Sequence, residues 1–143
     1  METTRNMENG LNLVGRILLS HIFILSGITK ITGYAGTQQY MESMGVSGML
    51  LPLVILVELG AGLALLVGWQ TRIAAWTLAA FTVASAVIFH TNFADQMQMI
   101  SFMKNVAITG GLLFVAAYGA GVLSVDHKLA KSGPKVGTPV GSH

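Results

Sequence analysis

The sequence predicts an all-α fold, an integral membrane four-helix bundle, and three observations carry that reading. Hydrophobic residues make up 52% of the chain and charged residues only 10%, against roughly 25% charged in an ordinary soluble domain. The apolar residues gather into four runs, about 11–32, 50–68, 73–90 and 102–123, each close to the roughly 20 residues that cross a bilayer core as a helix. The connection Trp69, Gln70, Thr71, Arg72 is so short that the runs on either side of it are antiparallel neighbours. Within 143 residues no soluble catalytic domain fits beside these spans. The absence of cysteine excludes disulfides, thiol redox chemistry and Cys-ligated clusters or zinc within this chain. A scattered net charge of +2 argues against nucleic acid as a partner.

Residues 1–10 are polar and of mixed charge, and read as a short cytoplasmic segment. The run after them is longer than a secretory signal core and lacks a clear cleavage site, so no removable signal peptide is expected. On the first span, Arg16, Ser20, Phe23, Ser26, Gly27 and Lys30 fall on one helical face, which should look inward. His21 lies nearly opposite Lys30 and should meet a different neighbour or a subunit interface.

Gly33 to Gly48, GYAGTQQYMESMGVSG, is too long for a tight turn and too polar to span; it reads as a short outer-face interfacial helix or lid. The second span tolerates Pro52 in its first turn. Gly60, Ala64 and Gly68 form a four-residue strip for close packing, and Gly62 should leave space beside Glu58. The third span is alanine-rich for the same purpose and exits through His90, Asn92 and Asp95. The fourth opens with Lys104 and Asn105. Residues 11–126 thus form the transmembrane domain, and 127–143, rich in Gly, Pro and Lys, read as a disordered cytoplasmic tail.

Arg5, Arg72, Lys128, Lys131 and Lys135 lie with the two termini and the connection between spans two and three, whereas the opposite loops hold Glu42 and Asp95. The positive-inside rule therefore places both termini in the cytoplasm. In that topology Lys30, Glu58, His90, Lys104 and Asn105 fall in the outer half of the bundle.

Glu58 is the only charge in LLPLVILVELGAGLALLVG. At about 1.5 Å per residue it sits roughly 12 Å below the end near Leu50, close to the midplane. A carboxylate there costs at least about 2.5 kcal/mol and must lose its charge, face the interior or meet a cation. Lys30 is the leading partner. The plainer readings are that Lys30 and Lys104 snorkel to the headgroups, that Glu58 belongs to a structural pair without chemistry, and that His90 caps its helix. Arg16 and Arg72 read as anchors that bind lipid phosphates or helix-end carbonyls. His21 and His90 lie at different depths, which argues against a bis-His haem, and no metal, nucleotide or flavin motif is present.

The segments GRILLSHIFILSGITKITGYAGTQQYMESMGV, VELGAGLALLVGWQTRIAA, FHTNF and FMKNVAITGGLL resemble the DoxX family of small bacterial membrane proteins. The loop GYAGTQQYMESMGV is closest to an enterobacterial inner-membrane branch of it. The resemblance spans roughly Leu11 to Asp126 and implies four transmembrane helices in the bacterial inner membrane. It carries the family's motif positions onto Arg16, Lys30, Glu58, Arg72, His90 and Asn105. It also implies a subunit of a quinone-linked oxidoreductase system rather than a self-sufficient enzyme. In that reading Glu58 and His90 relay protons, and Lys30, Glu58, His90 and Asn105 bind a quinone headgroup. Arg16, Arg72 and Lys104 anchor the bundle, no metal is held, and an oxidoreductase partner subunit or a second copy completes the assembly. A proton-coupled or small-molecule carrier would use the same ionisable groups, and a non-catalytic assembly protein would need only the packing strips.

Overall fold

The computed structural model describes residues 1–132, and every regular element among them is helical. In chain order these are α1 (Glu2–Thr32), α2 (Tyr34–Ser43), α3 (Gly48–Val67), α4 (Thr71–Phe89), α5 (Gln96–Tyr118) and α6 (Val125–Ser132). Four of them, α1, α3, α4 and α5, are long and apolar enough to cross a membrane.

The helix ends differ from the sequence reading in ways that local chemistry explains. Residues 1–10 do not stand apart: α1 starts at Glu2 and, with no proline in that stretch, continues through Asn9 and Gly10. Its 31 residues reach roughly 46 Å at about 1.5 Å each, more than the about 30 Å of a bilayer core. The fourth span runs from Gln96 to Tyr118 rather than over 102–123. Asp95 opens it early by accepting the Met97 N–H at 2.9 Å, an N-cap bond. Gly119 and Gly121 end it, with φ of 76° and 72°, conformations that side-chain-bearing residues rarely adopt. Of the tail expected to be disordered, 127–132 lie in α6, which Ser124 caps by accepting the His127 N–H at 3.2 Å; 133–143 lie outside the described residues.

The second span is not one uniform helix. It opens with a 3₁₀ turn at Gly48–Leu50, capped by the Ser47 hydroxyl, and passes through a π-helical turn at Val57–Ala61 that contains Glu58. A π turn inserts one residue into the helical repeat, so a four-residue strip cannot continue through it. Gly60 accordingly looks into open space, so the expected strip of Gly60, Ala64 and Gly68 does not pack as one face, although Gly68 is buried and a Cβ there would lie 2.5 Å from Ser124 Cβ. The close approach is made by Gly27 and Gly62. A Cβ on Gly27 would lie 2.6 Å from Leu59 Cγ, and one on Gly62 would lie 3.2 Å from Ile24 and 3.3 Å from Phe23. Gly62 therefore admits α1, and Ile24 and Phe23 take up the room its missing side chain leaves.

The inward face of α1 consists of Arg16, Ser20, Phe23 and Gly27. That of α4 includes Ala74, Ala75, Leu78, Ala79, Thr82 and Ala86. Phe23, Leu65, Leu78, Ala79 and Leu112 form the apolar core at the middle of the bundle. The helices α4 and α5 pack along their lengths, whereas α1 meets α5 at few points. Large exposed side chains such as Leu18, Leu25, Leu56, Ile73, Val87 and Phe114 cover the outside, as lipid requires.

Overpacking costs typically about 1–3 kcal/mol. Gly27→Val should lower thermal stability in detergent by that order, whereas Gly60→Ala should leave the melting midpoint unchanged or raise it. The reverse order would restore the Gly60 strip as the packing face.

Candidate functional site

The bundle has two polar ends. At the first, Arg16, only 1% exposed, acts as a hub. Its guanidinium donates to Leu65 O at 3.3 Å, Leu66 O at 3.0 Å, Asn12 Oδ1 at 3.1 Å and Leu123 O. Leu65 and Leu66 belong to the last turn of α3, whose carbonyls have no helical partner, so Arg16 closes that end. Arg72 does the same for α5, donating to Ala117 O at 2.9 Å. Of the two anchoring modes expected for these arginines, the structure forms the bonds to helix-end carbonyls.

Asp126 completes this end and was not singled out from the sequence. It accepts from Gln70 N at 2.8 Å, Thr71 N at 2.9 Å and Thr71 Oγ1 at 2.6 Å, so it caps the start of α4. Burial pushes its carboxyl up, but the Thr71 hydroxyl, the two backbone N–H groups and the Arg16 charge outweigh that and hold it below the usual value. No local pattern could have revealed a cap donated from 55 residues away.

At the second end the polar groups surround a cavity. Lys30, on the last turn of α1, donates to Glu58 Oε1 at 2.7 Å and to Ser26 Oγ at 2.7 Å. Glu58 is 1% exposed, and its other oxygen, Oε2, has no hydrogen-bond partner. The pair spans the Gly27–Leu59 contact, so the close approach of α1 brings the ammonium within reach. The π turn sets the position from which Glu58 meets it; such turns are frequent at functional sites.

A cavity of about 200 Å³ adjoins the pair, with His90, Lys104 and Asn105 in its wall. A second, of about 180 Å³, shares Lys30, Glu58, Ser85 and His90 and is covered by α2 through Tyr40 and Met41. Tyr40 stacks on Phe89 with ring centroids 5.5 Å apart, and Met41 is buried. All four site residues expected from the sequence, Lys30, Glu58, His90 and Asn105, therefore line one space. Lys104, read as an anchor, is exposed yet also borders the cavity. His21 is not brought there; it faces outward with Nδ1 bonded to Leu18 O of its own helix. Thr82 and Ser85 were missed, although they are the polar residues three apart in an alanine-rich run.

The arrangement places residues that can donate hydrogen bonds in the cavity wall together with Glu58, whose buried Oε2 has no partner. A buried acceptor left unsatisfied costs about 1–3 kcal/mol, so a ligand that donates to Oε2 gains what the protein alone does not recover. Among the described residues no cluster of three or more His, Cys, Asp or Glu is placed to hold a metal ion.

The DoxX family model matches residues 11–91. The chain is 55% identical over 119 residues to the inner membrane protein YqjF of Escherichia coli K12, covering 83% of this chain and 92% of that protein. It is 36% identical over 140 residues to the inner membrane protein YphA of the same organism, covering 90% of this chain and 100% of that protein. No solved structure matches.

Reversing one charge of the Lys30–Glu58 pair should destabilise the protein by about 3–5 kcal/mol, because the partner is left buried and uncompensated. The double exchange, Lys30→Glu with Glu58→Lys, should recover most of that in a detergent melt; equal tolerance of all three variants would remove the pairing. A separate measurement concerns pH. Since the folded Asp126 carboxyl titrates below its unfolded value, its stabilising contribution is complete above pH 3.8 and disappears as pH falls through the lower folded value. Asp126→Asn should therefore flatten the melting midpoint against pH in that acid window and leave its shape near neutrality unchanged.

Proposed function

The chain belongs to the DoxX family, and from that premise we propose that it is an inner-membrane subunit of a quinone-linked oxidoreductase system whose polar intramembrane cavity binds a quinone or quinol headgroup. It is a multi-pass inner-membrane protein, with four spans and two inner-membrane relatives. In this reading both termini lie in the cytoplasm, and α2 rests at the outer interface over the cavity.

The observation that carries the proposal is the unpartnered, buried Oε2 of Glu58 beside a cavity that also meets His90 and Asn105. A quinol hydroxyl donates to Oε2, and oxidation of the quinol to quinone releases two electrons and two protons. Glu58 accepts one proton and His90 the other or passes it outward, while Lys30 and Asn105 donate to the ring oxygens as negative charge develops there. The ion pair with Lys30 at 2.7 Å keeps the carboxylate in place while its second oxygen exchanges a proton. The electrons pass to a redox group carried by a partner subunit, and this chain supplies binding and proton transfer. The combined space of the adjoining cavities, about 200 and 180 Å³, suits one substituted aromatic ring.

Mass spectrometry of small molecules retained by protein purified gently from its native membrane tests the reading. Wild type should carry a stoichiometric quinone, and a folded Glu58→Gln variant should have lost it. Quinone absent from both, or held equally by both as bulk lipid, would sink the assignment and turn attention to flux across vesicles and to partner capture.

A further inference from the structure

One polar side chain belongs to the walls of both the polar cavity and an apolar groove. Asn105 lines the polar cavity on one side and, on the other, a groove of about 290 Å³ between α4 and α5. Val83 and Val87 border the groove from α4, and Phe102, Val106 and Leu113 border it from α5. Its remaining polar contributor, Thr109, has its hydroxyl bonded to Asn105 O at 2.8 Å, so the groove presents hydrocarbon. The Asn105 amide makes no side-chain hydrogen bond among the described residues.

Close helix packing does not fill this groove. A Cβ added to Gly110 would meet nothing within 4 Å, although Gly110 faces it and glycine is the residue with which membrane helices ordinarily close such gaps. Phe93 packs edge-on against Phe102 at 5.2 Å and buttresses one wall. The other cavity beside Glu58 is covered by α2. Asn105 thus stands between the polar cavity and an apolar groove.

We propose that this groove holds the isoprenoid tail of the quinone, with Asn105 at the threshold between ring and chain, so that the ligand enters laterally from the bilayer between α4 and α5. The inference rests on the quinone reading of the polar cavity and deepens it: the groove selects tailed over tail-less rings. An amphiphile is the occupant such a paired site fits, because its head meets the polar residues around Glu58 while its chain meets an almost wholly apolar wall. A membrane phospholipid lying in the groove is the competing source of the same hydrocarbon.

The test compares two probes on purified protein in nanodiscs: 2,3-dimethoxy-5-methylbenzoquinone, and the same ring bearing two isoprene units. Membrane partitioning is measured in protein-free nanodiscs and subtracted. Wild type should bind the tailed ring more tightly, and Gly110→Leu, which extends into open space, should reduce that affinity by about tenfold while leaving the tail-less ring unchanged. Val87→Phe narrows the groove from the other helix and should do the same, so misfolding of one variant does not decide the outcome; each is checked by its melt. Equal affinity of the two probes for wild type, or tailed binding that survives both substitutions, would overturn the groove while leaving the head site standing. Groove density supplied by phospholipid gives that second result. If neither probe binds wild type, the quinone reading itself fails and the groove proposal falls with it.

Discussion

A carboxylate buried among apolar helices needs a cation, and the bond from Lys30 to Glu58 organises one end of this bundle. The bond can form only if α1 comes against α3 more closely than two helices with ordinary side chains allow. Gly27 and Gly62 permit that approach, one receiving Leu59 and the other Ile24 and Phe23. The π turn at Val57–Ala61 sets the direction of the carboxylate. Lipid provides no hydrophobic force between helices, so van der Waals contact at the glycines and the internal ion pair have to supply the association. The geometry of the cavity follows from the same contact.

The two ends of the bundle spend their polar groups differently. Around Arg16 and Asp126, acceptors and donors are matched: exposed carbonyls at the ends of α3 and α5 receive arginine bonds, and the first N–H groups of α4 receive a carboxylate. Removing the buried Arg16 would leave the Leu65 and Leu66 carbonyls without that partner. Around Glu58 the matching is incomplete. One buried carboxylate oxygen has no hydrogen-bond partner, and Asn105, His90 and Lys104 line the adjoining cavity. Cavities adjoin both ends, about 510 Å³ beside Thr71, Arg72 and Asp126 and about 200 Å³ beside Glu58; the two ends differ in the buried Glu58 oxygen that has no partner.

Much of the site was legible because ionisable residues are so rare in these spans. Lys30, Glu58, His90 and Asn105 each interrupt an apolar run, and helical periodicity with the alternation of span directions brings them to one layer. Ser26, Thr82 and Ser85 carry weaker signals, since hydroxyls inside membrane helices often bond their own backbone, as Thr82 does to Leu78 O. The glycine strip was misread for a definite reason: a regular repeat of 3.6 residues per turn was assumed through Glu58, where the helix contains an extra residue. Gly60 was thereby turned outward, and Gly62 and Gly27 became the contact.

The sequence by itself determined the fold class, the number of spans and the inward face of α1, since each follows from hydropathy and helical period, which are local properties. It also determined which rare polar side chains had to find partners within the protein. The tertiary structure decided which partners they found. The Asp126 cap on α4, the Arg16 bonds to Leu65 and Leu66, and the place of Asn105 in the walls of both the polar cavity and an apolar groove all depend on residues far apart in the chain. Their positions depend on the interhelical distances and the π turn, and those are set by how side chains of separate helices fit together in three dimensions.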